Sequence, residues 1–168
     1  MQKQFFYKLN YREADMKQNT ETWMGIRGVI KLYEKMLKRV CTEHHLTVIE
    51  ADVISFLQNN PEKDTAADIV ELRMLSKGAV SKAVESLIQK SLLDRRPDQQ
   101  DRRRIHLILR PEAGPVTESI ESVQEEFWDM VLEGFTEEEL EGYARFRRKL
   151  LNNIDRAMET ERKKEHEA

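Results

Sequence analysis

Cysteine, proline, glycine and aromatic residues are all scarce in this chain, and each scarcity excludes something. Its 168 residues hold one cysteine, Cys41, so no intrachain disulfide framework exists and a reducing, cytoplasmic setting is expected. With only 4 prolines, 6 glycines and 7% aromatics against 35% charged residues, the composition favours a mostly helical protein. The length suits one globular unit, or one domain with helical extensions. No apolar run approaches a bilayer span of about 20 residues, and the N-terminus lacks a signal peptide's charged-then-apolar pattern. A membrane is therefore not an expected partner. Missing too are a glycine-rich phosphate loop, a Gly-x-Ser-x-Gly elbow and a His-Glu-x-x-His pair, so neither catalysis nor a cofactor is expected.

Basic residues are absent from a long stretch. Glu112 to Gly142 contains eleven acidic residues and no lysine or arginine. Arg73 to Arg110 is the opposite, with ten Lys or Arg against four Asp or Glu, a net of +6. Since the chain carries −3 overall, everything outside that block sums to −9. A basic block in an acidic chain points to one surface that meets a polyanion and another that stays off it.

Helix starts are signposted along the chain. A first helix is expected from about Asn19 or Thr20 to His44, with Trp23, Ile26, Ile30, Tyr33, Leu37, Val40 and His44 as its apolar stripe; the first dozen or so residues read as a loose segment. Thr47 and Glu50 form a capping box for a second helix that Asn59-Asn60-Pro61 ends. Thr65 and Asp68 start a short third helix running through Leu72. Ser76 caps a fourth, Ser76 to Lys90, with Val80, Ala83, Val84, Leu87 and Ile88 on its apolar face. Lys77, Gly78, Ser81, Lys82 and Glu85 fall opposite. Leu93-Asp94-Arg95-Arg96 and Ile105 to Leu109 read as two strands joined by an arginine-rich turn. Pro111 opens a fifth helix with Val116, Ile120, Val123, Phe127 and Val131 as its stripe. Gly134 interrupts, and Thr136 and Glu139 cap a last helix with Leu140, Tyr143, Phe146, Leu150 and Ile154 inward.

That order, four helices, a hairpin and two more helices, is a mainly α, winged helix-turn-helix architecture. Residues 46–111 are the expected winged domain. Residues 1–45 and 112–168 are the expected helical dimerisation region, because their stripes are too long to be covered by so small a domain. A helix with small and polar side chains, beside a basic hairpin that can reach a minor groove, is the make-up of a reader of double-stranded DNA. Paired in a homodimer, two such helices fit half-sites about one helical turn apart, ~10 bp.

The residues also resemble a known family. Leu46-Thr47, Ala67-Asp68-Ile69, Leu75-Ser76-Lys77-Gly78-Ala79-Val80-Ser81, Leu92 to Asp98, Asp101-Arg102-Arg103 and Ile105 to Leu109 are similar to the MarR family of winged-helix transcription regulators. The helix order matches over roughly residues 20–154, and the specific motifs lie within residues 46–118. The resemblance implies that Arg103 of Asp-x-Arg enters a minor groove and that Asp101 holds its guanidinium by a charge-assisted hydrogen bond. Arg102 and Arg104 would then meet phosphates, with Arg95 and Arg96 near the base of the wing. Ser76, Lys77, Gly78, Ser81 and Lys82 would form the DNA face of the reader helix. One departure is Arg110, where relatives often carry a threonine or another helix cap.

The family implies a regulator, a repressor relieved by a ligand, that binds a pseudo-palindromic operator as a homodimer. A winged-helix protein-interaction module and a non-specific architectural binder are the alternatives. Relatives commonly take small aromatic anions in a cleft between the dimer helices and the winged domain, and Trp23, Tyr33, Met36 and Phe56 are the candidates here, although the same residues suit a plain core. Other relatives sense peroxide through a cysteine. Cys41 beside Lys38, Arg39 and His44 is the one candidate, with a buried, inert thiol the expected state. Cys41, Glu43, His44 and His45 also cluster in the sequence, but the spacing lacks a second ligand pair and no metal site is expected.

Overall fold

Every helix start marked by a cap in the sequence is built on that cap. In the computed structural model, which describes residues 2–101 and 103–167 and the side chains of 20–101 and 103–164, α2 (Val48–Asn59) opens on a reciprocal box. The Glu50 N–H donates to Thr47 Oγ1 at 3.2 Å, and the Thr47 N–H to Glu50 Oε2 at 2.6 Å. Thr65 and Asp68 do the same for α3 (Ala66–Arg73), at 3.2 and 3.1 Å. Ser76 Oγ accepts from the Ala79 N–H at 3.2 Å to start α4 (Lys77–Gln89). Thr136 and Glu139 form the box of α6 (Glu137–Glu167). These bonds satisfy N–H groups that the first helical turn leaves without partners.

Two starts differ from expectation. Helix α1 spans Gln2–Glu43, beginning well before Thr20, because no proline or glycine precedes Gly25 to stop propagation. Pro111 opens a 3-10 turn, Pro111–Ala113, and α5 itself runs Gly114–Val131. Arg110 occupies the cap position without a side-chain cap bond.

The chain divides into two compact units, residues 1–127 and 128–168. In the first, α2 packs on α1 and α4, and α3 on α4. Leu37, Ile54, Ile69, Leu87, Leu93 and Ile120 are fully buried there. Strands β1 (Leu93–Pro97) and β2 (Ile105–Leu109) pair antiparallel, from Leu93 opposite Leu109 to Pro97 opposite Ile105. Thr65 bridges to His106, and the Leu107 N–H donates to the Asp64 carbonyl at 2.7 Å, which ties the start of α3 to the outer edge of the hairpin. Helix α5 lies across α1 and α2. Gln124 Nε2 donates to Ser55 Oγ at 3.0 Å and Tyr33 Oη at 3.2 Å, and the Tyr33 and Phe127 rings meet edge to face at 5.3 Å.

One buried carboxylate organises this unit. Glu50, 2% exposed, accepts from Lys90 Nζ at 2.9 and 3.0 Å, and Lys90 also donates to the His45 carbonyl at 2.8 Å. Burial pushes the Glu50 carboxyl up. Bonds from the Ser86 side chain, the Thr47 N–H and Lys90 outweigh that and hold it below its ordinary value.

In the second unit, Gly134 at φ 82° turns the chain between α5 and α6, where its lack of a Cβ removes the usual penalty. Tyr143, Phe146, Leu150, Ile154 and Met158 line α6 at helical spacing and are exposed, whereas the sequence expected the first four of them to point inward. Trp23, Ile26 and Ile30 of α1 are likewise exposed, while Leu37 and Val40 further along the same stripe are core. Among the described residues no helix is long and apolar enough to cross a membrane.

Two substitutions test this packing. Leu87, 0% exposed, should lose about 2–5 kcal/mol of unfolding free energy as Leu87→Ala. Met74 sits in the left-handed region at φ 52° and is 77% exposed, so Met74→Gly should instead gain about 0.5–1 kcal/mol. Urea unfolding of both variants checks the pair of signs.

Candidate nucleic-acid interface

Burying Val80, Ala83, Val84 and Leu87 turns the opposite side of α4 outward. Ser76, Lys77, Gly78, Ser81 and Lys82 are all exposed, as the spacing predicts. Beyond its own helical turn, a Cβ built on Gly78 would meet no described atom within 4 Å, so that glycine answers to no tertiary packing demand.

The wing base adds Arg95 and Arg96, and the turn adds Asp101, Arg103 and Arg104, every one exposed. Arg102 lies outside the described residues. Arg95 Nη1 reaches Glu85 Oε2 at 3.0 Å, tying β1 to α4 and cancelling one charge at their junction. Ala66, Ala67 and Val70 of α3, Lys77, Ser81 and Val84 of α4, and Arg95, Ile105 and Leu107 of the hairpin line a groove of about 460 Å³. Its walls are mostly apolar; Lys77 brings positive charge, while that of Arg95 is paired with Glu85.

The turn is held by carboxylates in a way the sequence reading missed. Asp98 Oδ1 accepts from the backbone N–H groups of Gln100 at 2.7 Å and Asp101 at 2.8 Å. Asp101 Oδ1 accepts from the backbone N–H of Arg103 at 3.0 Å. The expected bond from Asp101 to the Arg103 guanidinium is therefore replaced by a backbone bond: a short side chain two residues back closes a local turn more readily than it follows a long, solvated arginine. Missed as well was His106, whose Nδ1 lies 2.8 Å from Asp64 and whose Nε2 lies 3.0 Å from Asp98. The alternation of β2 marked His106 only as a strand residue.

Not every cation of the basic block belongs to this surface. Arg73 turns onto the Phe56 ring, 5.8 Å from its centre. Lys90 is bound to Glu50, and Arg110 pairs with Asp94 at 3.3 Å and Glu112 at 3.2 Å. That leaves Lys77, Lys82, Arg95, Arg96, Arg103 and Arg104 as the exposed described cations of the reader helix and wing.

Residues 44–104, which span this helix-turn-helix and most of the wing, match the MarR family model. The likeness to the MarR family is carried by this domain. The fold of the whole is shared with solved structures of that kind. A MarR-family transcriptional regulator from Silicibacter pomeroyi superposes with a TM-score of 0.67 at 20% identity, covering 77% of this chain and 86% of that one. The S. aureus MepR–DNA complex gives 0.65 at 19% identity, over 79% and 95%. Bordetella bronchiseptica BpsR, described with regulation of its DNA binding by 6-hydroxynicotinic acid, gives 0.60 at 18% identity, over 77% and 98%. No curated protein matches the sequence.

The candidate effector residues differ in their surroundings. Met36 and Phe56 are core residues, Tyr33 is half-buried and bound to Gln124, and Trp23 is 60% exposed on α1. His44 Nε2 lies 2.9 Å from Ser119 Oγ, and no group of three or more His, Cys, Asp or Glu that could hold a metal ion occurs among the described residues. Cys41 is buried; burial, then the Asp52 and Glu50 carboxylates, raise its thiol above the ordinary value of 9.0. A thiol so placed resists forming the nucleophilic thiolate. Native protein at pH 7 should therefore resist alkylation by iodoacetamide, with labelling of Cys41 appearing only as urea unfolds the chain; fast labelling of the folded protein would contradict the burial argument.

Proposed function

We propose that this chain is a sequence-reading regulator of transcription that binds double-stranded DNA as a homodimer. The observation that carries the reading is the convergence of two elements: an outward α4 face of small and cationic side chains, and a hairpin whose tip presents Arg103 and Arg104. Serine and lysine reach bases and phosphates alike, whereas arginines on a narrow wing suit the minor groove and its phosphate walls. A solvated, salt-bridged hairpin tip explains less. Exposed ion pairs contribute about 0–1 kcal/mol each, and no carboxylate is bound to the Arg103 or Arg104 guanidinium among the described residues.

Exposed apolar surface supports the dimer. Trp23, Met24, Ile26 and Ile30 on α1, and Phe146, Leu150, Leu151 and Ile154 on α6, are each more than a third exposed. In this reading residues 1–45 and 112–168 form the dimerisation region, and residues 46–111 read DNA. Repression relieved by a small aromatic anion is the finer part of the proposal. It is supported by the apolar groove that carries the Lys77 ammonium, since an anion seated there would occupy the side of α4 that faces DNA.

Selection of bound duplexes from a random library tests the reading. The wild-type protein should enrich a palindrome. Arg103→Ala should weaken binding by about 1–3 kcal/mol and lower the salt slope by about 1, with dimer mass and helix content unchanged. Salt-dependent binding without an enriched motif would leave an architectural binder, and unaltered affinity in the variant would remove Arg103 from the interface.

A further inference from the structure

We infer that His106 is a positioning residue for the wing: in its protonated form it clamps the wing turn to the loop before α3, and loss of the proton releases that turn. The claim that the released turn carries DNA-contacting arginines rests on the function proposed above. The clamp itself does not.

The geometry requires the charged ring. Nδ1 lies 2.8 and 2.9 Å from the two Asp64 carboxylate oxygens, and Nε2 lies 3.0 Å from Asp98 Oδ2. A carboxylate offers only acceptors, and a neutral imidazole owns one N–H. Both contacts are hydrogen bonds only when both nitrogens carry protons. The site is sheltered, with side-chain exposures of 18% for His106, 27% for Asp64 and 28% for Asp98.

The surroundings agree. Asp64 faces the ring from the α2–α3 loop and Asp98 from the wing turn. Arg96 is the cross-strand partner of His106 on β1. On the neighbouring elements, Asp68 feels Lys63 and Arg104. The bond to Asp98, then that to Asp64, raise the His106 ring above its ordinary 6.5. The same bond, helped by the Asp101 and Gln100 N–H groups, holds Asp98 well below the usual carboxylate range.

The sign follows from these directions. A histidine whose value rises on folding stabilises the folded state fully below 6.5, and that stabilisation disappears as pH climbs through the raised value. Asp98, lowered on folding, contributes above its ordinary 3.8 and fails only in acid. The clamp is therefore closed below 6.5 and opens as pH climbs through the raised value of the ring. Asp98 transmits the change, because its other oxygen holds the Gln100 and Asp101 N–H groups from which the turn continues to Arg103.

Labelled full-length protein, titrated upward through the range above pH 6.5, tests this by NMR. The His106 ring should titrate with a midpoint above 6.5, and the Gln100 and Asp101 amide signals should move with the same midpoint. In Asp98→Ala, which also removes the acceptor of those two N–H groups, the amides should no longer follow the ring. In His106→Gln they should not titrate in this range. A ring midpoint at or below 6.5, or amides indifferent to it, overturns the clamp. Affinity for a pool of random-sequence duplexes at fixed salt is the separate readout: it should fall through the same midpoint in wild type and lose that step in His106→Gln. Coupled NMR titrations without DNA binding at any pH would uphold the clamp and overturn the DNA reading instead.

Discussion

The placement of the reader helix depends on one buried carboxylate. Glu50 closes the N-terminal box of α2 and, through Lys90, holds the last turn of α4; Lys90 in turn holds the carbonyl of His45 where α1 ends. Three chain segments are thus fixed around a charge that could not remain buried unpaired. The apolar face of α4, Val80 to Leu87, then adds the burial that fixes the helix's rotation about its own axis.

The wing is oriented by a second set of polar contacts, different in kind. The backbone bridge between Thr65 and His106 and the bond from Leu107 to the Asp64 carbonyl attach the hairpin to the start of α3. The Glu85–Arg95 pair attaches it to α4. The hairpin is therefore anchored to both helices of the helix-turn-helix, and only its turn is left to the local chemistry of Asp98 and Asp101.

Local features were legible in the sequence, and distant ones were not. Thr47, Thr65, Ser76 and Thr136 announced their helices because a cap and its partner lie three residues apart, within one turn. The exposed face of α4 and the strand limits were legible for the same reason, since periodicity is a local property. The His106 clamp was not, because Asp64 stands forty-two residues away and nothing in an alternating strand marks one polar residue as bridging. The inward role of Arg73 and the pairing of Arg110 were hidden likewise: charge counts do not say which arginine folds back on its own chain. The apolar stripes of α1 and α6 were visible as stripes, but periodicity alone does not say whether a stripe is buried or exposed.

Gly78 has a consequence of another kind. A glycine within a helix costs about 0.5–1 kcal/mol relative to alanine, and here no tertiary contact explains it, since beyond its own helical turn a Cβ would meet no described atom. A change at this position leaves the core untouched and alters only what the helix offers to the outside. Recognition and stability are uncoupled there, so the preference of such a protein can drift, or be rewritten, by single steps that never endanger its folding.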